Sequence, residues 1–265
     1  MAGALASTGW AQTASEPAAA TKVSLRQHGP AKIHGRSPDN TVYSENWSGY
    51  AVTGSSFTQA MGSWIVPTVN CTTTPGTRST PTYSSFWVGI DGYSSSTVEQ
   101  IGTDSDCDGL TPTYYAWYEF YPAPSYNINS LTISPGDKIS ASVTYNGSQF
   151  TVTLTDENTG KSFSTTQSVR GAKRSSAEWI AESPCCARHG AFLPLSDFGT
   201  VDFGALYTNV GNTDDAEDTA SPSATPISGF GTFEQINMVT SSGALETTTS
   251  PLSGGTSFTV QWNSE

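Results

Sequence analysis

The sequence predicts an all-β fold, an antiparallel sandwich or barrel. Three observations predict it. Apolar residues recur with period two through most of the chain. Helical periodicity over any long window is missing. Turn-forming clusters of Gly, Pro, Asn, Asp and Ser interrupt the pattern about every dozen residues, the rhythm of short strands joined by tight connections.

The elements follow in order. The first strand is expected near Val42 or Trp47, and MGSWIVPTV (61–69) and SSFWVGIDG (84–92) read as further strands. In KISASVTY, Ile139, Ala141, Val143 and Tyr145 share one face. Asn146-Gly147 follows as a short-hairpin signal, and Phe150, Val152 and Leu154 resume the alternation. Residues 212–226, NTDDAEDTASPSATP, read as an acidic surface loop, and 240–256 as a Ser/Thr/Gly loop. The last strand carries Phe258, Val260 and Trp262 on one face. No internal repeat is visible. One domain over 41–265 is expected, preceded by residues 1–40.

Charge divides the chain at the same place. The 265 residues carry a formal net charge of −12, and only 13% are charged. Four of the eleven Lys and Arg residues (Lys22, Arg26, Lys32, Arg36) and two of the three histidines (His28, His34) precede residue 41, against two acids, Glu16 and Asp39. A slightly basic leader on an acidic body suggests a prosegment held by electrostatics, or else a disordered tail. The Ala-rich first twenty residues resemble the remnant of a secretion signal. The body is too acidic to follow a nucleic-acid backbone. No apolar run approaches the roughly 18 residues of a spanning helix, so no membrane partner is expected.

Four cysteines allow three pairings. Cys71–Cys107 is the expected disulfide, with Cys185 and Cys186 either joined as neighbours or reduced. Cys185, Cys186 and His189 form a poor tetrahedral set, and no metal or other cofactor is expected.

Alternation then shows which polar residues share a face with aromatics. Trp87, Gly89 and Asp91 fall together in FWVGIDG, Trp117, Glu119 and Tyr121 in AWYEFYP, and Glu178, Ile180 and Glu182 in AEWIAE. Carboxylates beside aromatic rings on a sheet suit a groove for a chain-like ligand. Glu178 and Glu182 stand about 13 Å apart along a strand, too far to act as an acid/base pair. His189 is the single histidine after residue 40, and neither a GxSxG elbow nor an Asp-Thr-Gly motif occurs. Chemistry here would run on one carboxylate with a neutral helper.

NWSGYAV (46–52), FWVGIDG (86–92), VEQIGTD (98–104), AWYEFYP (116–122), LTISPGD (131–137) and AEWIAES (177–183) together resemble the glutamic peptidases, the eqolisins. The resemblance covers roughly 41–265. It implies a concanavalin- or lectin-like sandwich of two antiparallel sheets whose concave face binds an extended polypeptide. It implies a catalytic pair, Gln100 and Glu182, and a groove lined by Trp87, Asp91, Trp117, Glu119 and Tyr121. Glu178 would then support the sheet. The chain departs from the family pattern at Tyr115 and at Glu99, whose side chain should face away from Gln100. A secreted, pepstatin-insensitive acid endopeptidase is the implied activity, and a monomer is expected. Polypeptides and the chain's own prosegment are its implied partners, with acid-triggered release and self-cleavage of residues 1 to about 40. The alternative on the same stripes is a carbohydrate-binding or glycoside-hydrolysing sandwich.

Overall fold

The computed structural model describes residues 22–24, 26–54, 56–73, 80–185, 191–211 and 213–264. In chain order the strands are β1 (Lys22–Val23), β2 (Ile33–Arg36), β3 (Val42–Ser44), β4 (Trp47–Thr53), β5 (Phe57–Ile65), β6 (Ser85–Ile90) and β7 (Val98–Asp108). Then come β8 (Thr111–Tyr121), β9 (Tyr126–Ile128), β10 (Lys138–Tyr145), β11 (Phe150–Asp156), β12 (Lys161–Gln167) and β13 (Ser176–Glu182). The last are β14 (Thr200–Phe203), β15 (Asp215–Asp218), β16 (Thr225–Pro226), β17 (Phe233–Met238), β18 (Thr247–Thr249) and β19 (Phe258–Trp262). The one α-helix among the described residues is Ala205–Thr208.

Two sheets form, as the alternation requires. The first has the order β1-β9-β8-β7-β6-β13-β4-β17-β3-β2, and the second runs β12-β11-β10-β5-β14-β19-β18 with β15 added to β5. Neighbours are antiparallel except β17 beside β3. Between the sheets, Tyr50, Phe86, Val88 and Trp179 of the first meet Trp64, Val143, Leu154 and Phe203 of the second. Each large apolar side chain buried there contributes roughly 1.5–3 kcal/mol. Two indole N–H groups in this core find acceptors: Trp64 donates to Thr103 Oγ1 at 2.9 Å and Trp179 to the Met61 carbonyl at 2.6 Å.

The opposite face of the first sheet is also apolar. Trp47, Trp87, Val98, Trp117, Ile180 and Ile236 form a second buried cluster. Their cover is the leader, whose Ala31 packs on them. A polypeptide strap therefore fills a hollow that would otherwise expose several indole rings.

The structure corrects four details of the sequence reading. The Asn146-Gly147 connection is a four-residue loop, because Tyr145 pairs with Phe150. Asn146 Oδ1 closes it by accepting from the N–H groups of Ser148 and Gln149. Within the acidic stretch, β15 pairs with β5, Ala216 is buried, and buried Asp214 accepts from the Ser63 N–H at 3.3 Å. Within 240–256, β18 pairs with β19. The leader contributes β1 and β2 to the first sheet, so strands begin well before Val42. Glu99 lies one position from Gln100 in β7 and so points to the other face, as expected.

The Cys71–Cys107 disulfide is present, with Cα atoms 5.5 Å apart. Cys185 is disulfide-bonded. Cys186 and His189 lie outside the described residues.

Candidate active site

Strand register arranges the concave face in rows. Glu182 of β13 stands level with Trp47, Ser85, Asp104 and Tyr115. Ile180 stands level with Trp87, Gly102 and Trp117. Glu178 stands level with Gly89, Gln100 and Glu119. Period-two alternation on four paired strands thus brings Gln100, Glu182, Trp87, Trp117 and Glu119 to one surface. Gly102 keeps the middle row open: a Cβ there would lie 2.4 Å from the Phe86 carbonyl oxygen and 2.6 Å from Trp87 Cβ.

Glu182 is fixed by an indole. Trp87 Nε1–H donates to its Oε2 at 2.8 Å. Burial pushes the Glu182 carboxyl well above the ordinary carboxylate range. The Trp87 bond opposes this, and the neighbouring Glu119 and Asp104 add to it. Glu119 is raised for the same first reason, burial.

The leader lies against this face. His28 contacts Trp117, Glu119, Gln100 and Glu182 there. The His28 imidazole stacks on Trp117, with ring centroids 3.5 Å apart and planes 5° from parallel. Its Nδ1 lies 3.3 Å from Glu182 Oε2. Its backbone N–H donates to Glu119 Oε2 at 2.7 Å. Its carbonyl accepts from Gln100 Nε2 in a short hydrogen bond. The next carbonyls are held too: Trp47 Nε1 donates to Gly29 at 3.1 Å and Asn46 Nδ2 to Pro30 at 3.2 Å. On the other side, Gln27 exchanges two backbone hydrogen bonds with Cys185. Arg26 pairs with Asp106 and, at 3.4 Å, with Asp104, and lies over the Tyr83 ring at 4.4 Å.

Of the residues expected to line the groove, Tyr121 stands beside the strap, its ring 3.7 Å from where a Cβ on Gly29 would lie. Asp91 stands elsewhere. The strand ends at Ile90, and Asp91 takes a left-handed φ of 73°. Its buried carboxylate accepts the N–H groups of Lys173, Arg174 and Ser175 at 2.7, 2.7 and 3.0 Å. Glu178 is wholly buried, with no close hydrogen-bond partner for either oxygen among the described residues.

Asp104, Asp106, Tyr115, Trp47 and Asn46 carry no site role in the sequence reading. The signal for the two aspartates was present: Gln100, Gly102, Asp104 and Asp106 are one alternating stripe of β7.

Residues 45–262 match the model of the Peptidase A4 family. The chain belongs to that family, the eqolisins. It is a glutamic-type endopeptidase of the sandwich fold. Among curated proteins it is 33% identical to aspergillopepsin-2 of Aspergillus niger over 193 residues, 66% of this chain and 68% of that one. It is 34% identical to scytalidopepsin B of Scytalidium lignicola over 179 residues, 65% of each chain. Among solved structures it matches scytalido-glutamic peptidase crystallised with a transition state analog inhibitor. The TM-score is 0.66 at 28% identity, with 83% of this chain and 98% of that one covered.

Proposed function

We propose that this eqolisin is a secreted acid endopeptidase in which Glu182 and Gln100 carry the reaction. The carrying observation is the leader's own peptide, with its carbonyl on the Gln100 amide and its side chain against the Glu182 carboxyl. A substrate seated the same way presents its scissile carbonyl to Gln100. The Glu182 carboxylate takes a proton from water as the water oxygen bonds to the carbonyl carbon. Negative charge develops on the carbonyl oxygen, and Gln100 Nε2–H donates to it, a contribution of about 2.7–4 kcal/mol for such a donor. Glu182 returns the proton to the leaving nitrogen as the C–N bond breaks. Glu119 accepts the substrate N–H on the acyl side, and Trp117 supplies a flat wall.

Acid operation follows from the cycle. Under the strap, burial favours the protonated Glu182. With the cleft open to water the burial that raises it is relieved, and the carboxyl shifts back toward the ordinary carboxylate range, where it ionises at acid pH. One carboxylate with an amide partner is no aspartyl pair, so pepstatin has no dyad to bind. The leader acts as a removable prosegment of a zymogen, and the disulfide suits export to an oxidising space.

The test is digestion of an unfolded protein at acid pH with pepstatin present. Wild type is expected to cut. Glu182→Gln is expected to lose about 10²–10⁴-fold, and Gln100→Ala about 10²–10³-fold. Full activity in Glu182→Gln would end this reading.

A further inference from the structure

The leader lies across the cleft as a peptide substrate would, yet it stands against the catalytic carboxyl with a side chain. We infer that residues 26–31 are a pseudosubstrate in which the His28–Gly29 bond occupies the scissile position. The His28 imidazole protects that bond by standing where the attacking water must stand. This rests on the Glu182/Gln100 reading and deepens it.

Three observations fix the register. The Gln100 amide, the donor that would meet an oxyanion, is on the carbonyl of His28 and, among the described residues, on no other leader carbonyl. The residues on either side are held by their main chain: the His28 N–H by Glu119, the Gly29 carbonyl by Trp47 and the Pro30 carbonyl by Asn46. Main chain held at successive carbonyls is how a cleft binds a substrate of any sequence. Finally, Arg26, two residues before His28, is drawn to two buried aspartates of β7.

The block is steric and polar at once. A water attacking the His28 carbonyl carbon under control of Glu182 must lie between that carbon and the carboxyl. The imidazole is attached to the same residue, is 1% exposed, and meets Glu182 Oε2 through Nδ1. Its ring is pinned flat on Trp117 and cannot swing aside without losing the stack. The bond is therefore presented and kept from water by one side chain.

Shortening that side chain should convert inhibitor into substrate. In His28→Ala the stack and the contact to Glu182 disappear, while the main-chain bonds to Gln100, Glu119, Trp47 and Asn46 can persist. Water oxygen then bonds to the residue-28 carbonyl carbon, the C–N bond to Gly29 breaks, and the amine of Gly29 receives the proton. His28→Phe keeps a flat ring on Trp117 and should keep the bond covered.

The experiment follows full-length wild type, His28→Ala, His28→Phe and His28→Ala/Glu182→Gln at acid pH by intact mass and N-terminal sequencing. Digestion of an added unfolded protein is followed in parallel. Expected is a new N-terminus at Gly29 in His28→Ala, none there in wild type or His28→Phe, and none in the double variant. If His28→Ala digests the added protein but leaves 28–29 whole, the inference fails and the peptidase reading stands. The same holds if wild type is cut at 28–29 as fast as His28→Ala. If no variant digests either substrate, both fail together.

Discussion

At the scale of single residues, alternation served well inside strands and failed at their ends. Trp87 and Asp91 fall on one stripe in the sequence, but only Trp87 faces the cleft. One left-handed residue after Ile90 turns Asp91 into an anion for the loop at 173–175. Sequence spacing carries no sign of that turn. Asp91→Ala would leave three N–H groups in a part-buried loop without their acceptor, at about 1–3 kcal/mol each before relaxation. We expect a loss of about 3 kcal/mol in urea unfolding, with smaller losses in Asp91→Asn; an unchanged midpoint would return Asp91 to the groove. His28 makes a second residue-scale prediction. Burial, then the charge of Arg26, pushes its imidazole well below the usual value of 6.5, so it binds neutral. The groups facing it are Glu182 on β13, Glu119 on β8, Asp104 on β7 and Arg26 on the strap itself. Those carboxyls are raised by the same burial and keep their protons better under the strap, the opposite sense. The His28 contribution therefore has one sign: below about 6.5 the released imidazole takes up a proton that the bound one refuses, favouring release. An NMR titration of the intact chain should place the His28 midpoint below 6.5. A midpoint above it would mean an ion pair with Glu182.

At the scale of elements, two of the strands that carry the site are legible from their alternating stripes, which put Glu119 of β8 and Glu182 of β13 on a face without tertiary information. β7 has no such apolar alternation, and Gln100 comes from the family resemblance. β15 was missed because Asp-Ala-Glu-Asp offers one apolar residue, and only docking on β5 makes a strand of it. The leader strands were missed for a similar reason. β2, Ile-His-Gly-Arg, is mostly exposed and owes its form to pairing with β3. The middle of the sheet depends on a missing side chain. Gly102 lies between Trp87 and Trp117, and a methyl there would strike the Phe86 backbone as well as Trp87 Cβ. Overpacking of this kind costs typically 1–3 kcal/mol, and more when backbone must move. Gly102→Ala should lower the thermal midpoint and disturb the wall that carries Trp117, reducing activity even in the folded fraction. Wild-type stability in that variant would show that β6 and β7 can part without harm.

At the scale of the whole molecule, the acidic composition has a thermodynamic consequence beyond solubility. Carboxyls are buried in both sheets. Burial, aided by the charge of Asp91, pushes Glu99 up to about 9. Glu178 and Asp214 are raised well above the ordinary range, again first by burial. Burial lifts Asp106 to about 6, against the pull of Arg26. Each group binds its proton more tightly folded than unfolded. Its stabilisation is complete below the unfolded value of about 4 and is lost as pH rises through the folded value. For Glu99 the loss falls between about pH 4 and 9, and for Asp106 between about 4 and 6. The fold should be more stable at pH 4 than at pH 8, the reverse of a protein held by paired carboxylates. Urea unfolding across that range should show the midpoint falling, and Glu99→Gln, which holds volume and removes one titration, should flatten the fall at its alkaline end. A midpoint level or rising from pH 4 to 8 would mean these carboxyls ionise in place. The acid range of the catalytic cycle would then have no counterpart in the stability of the fold.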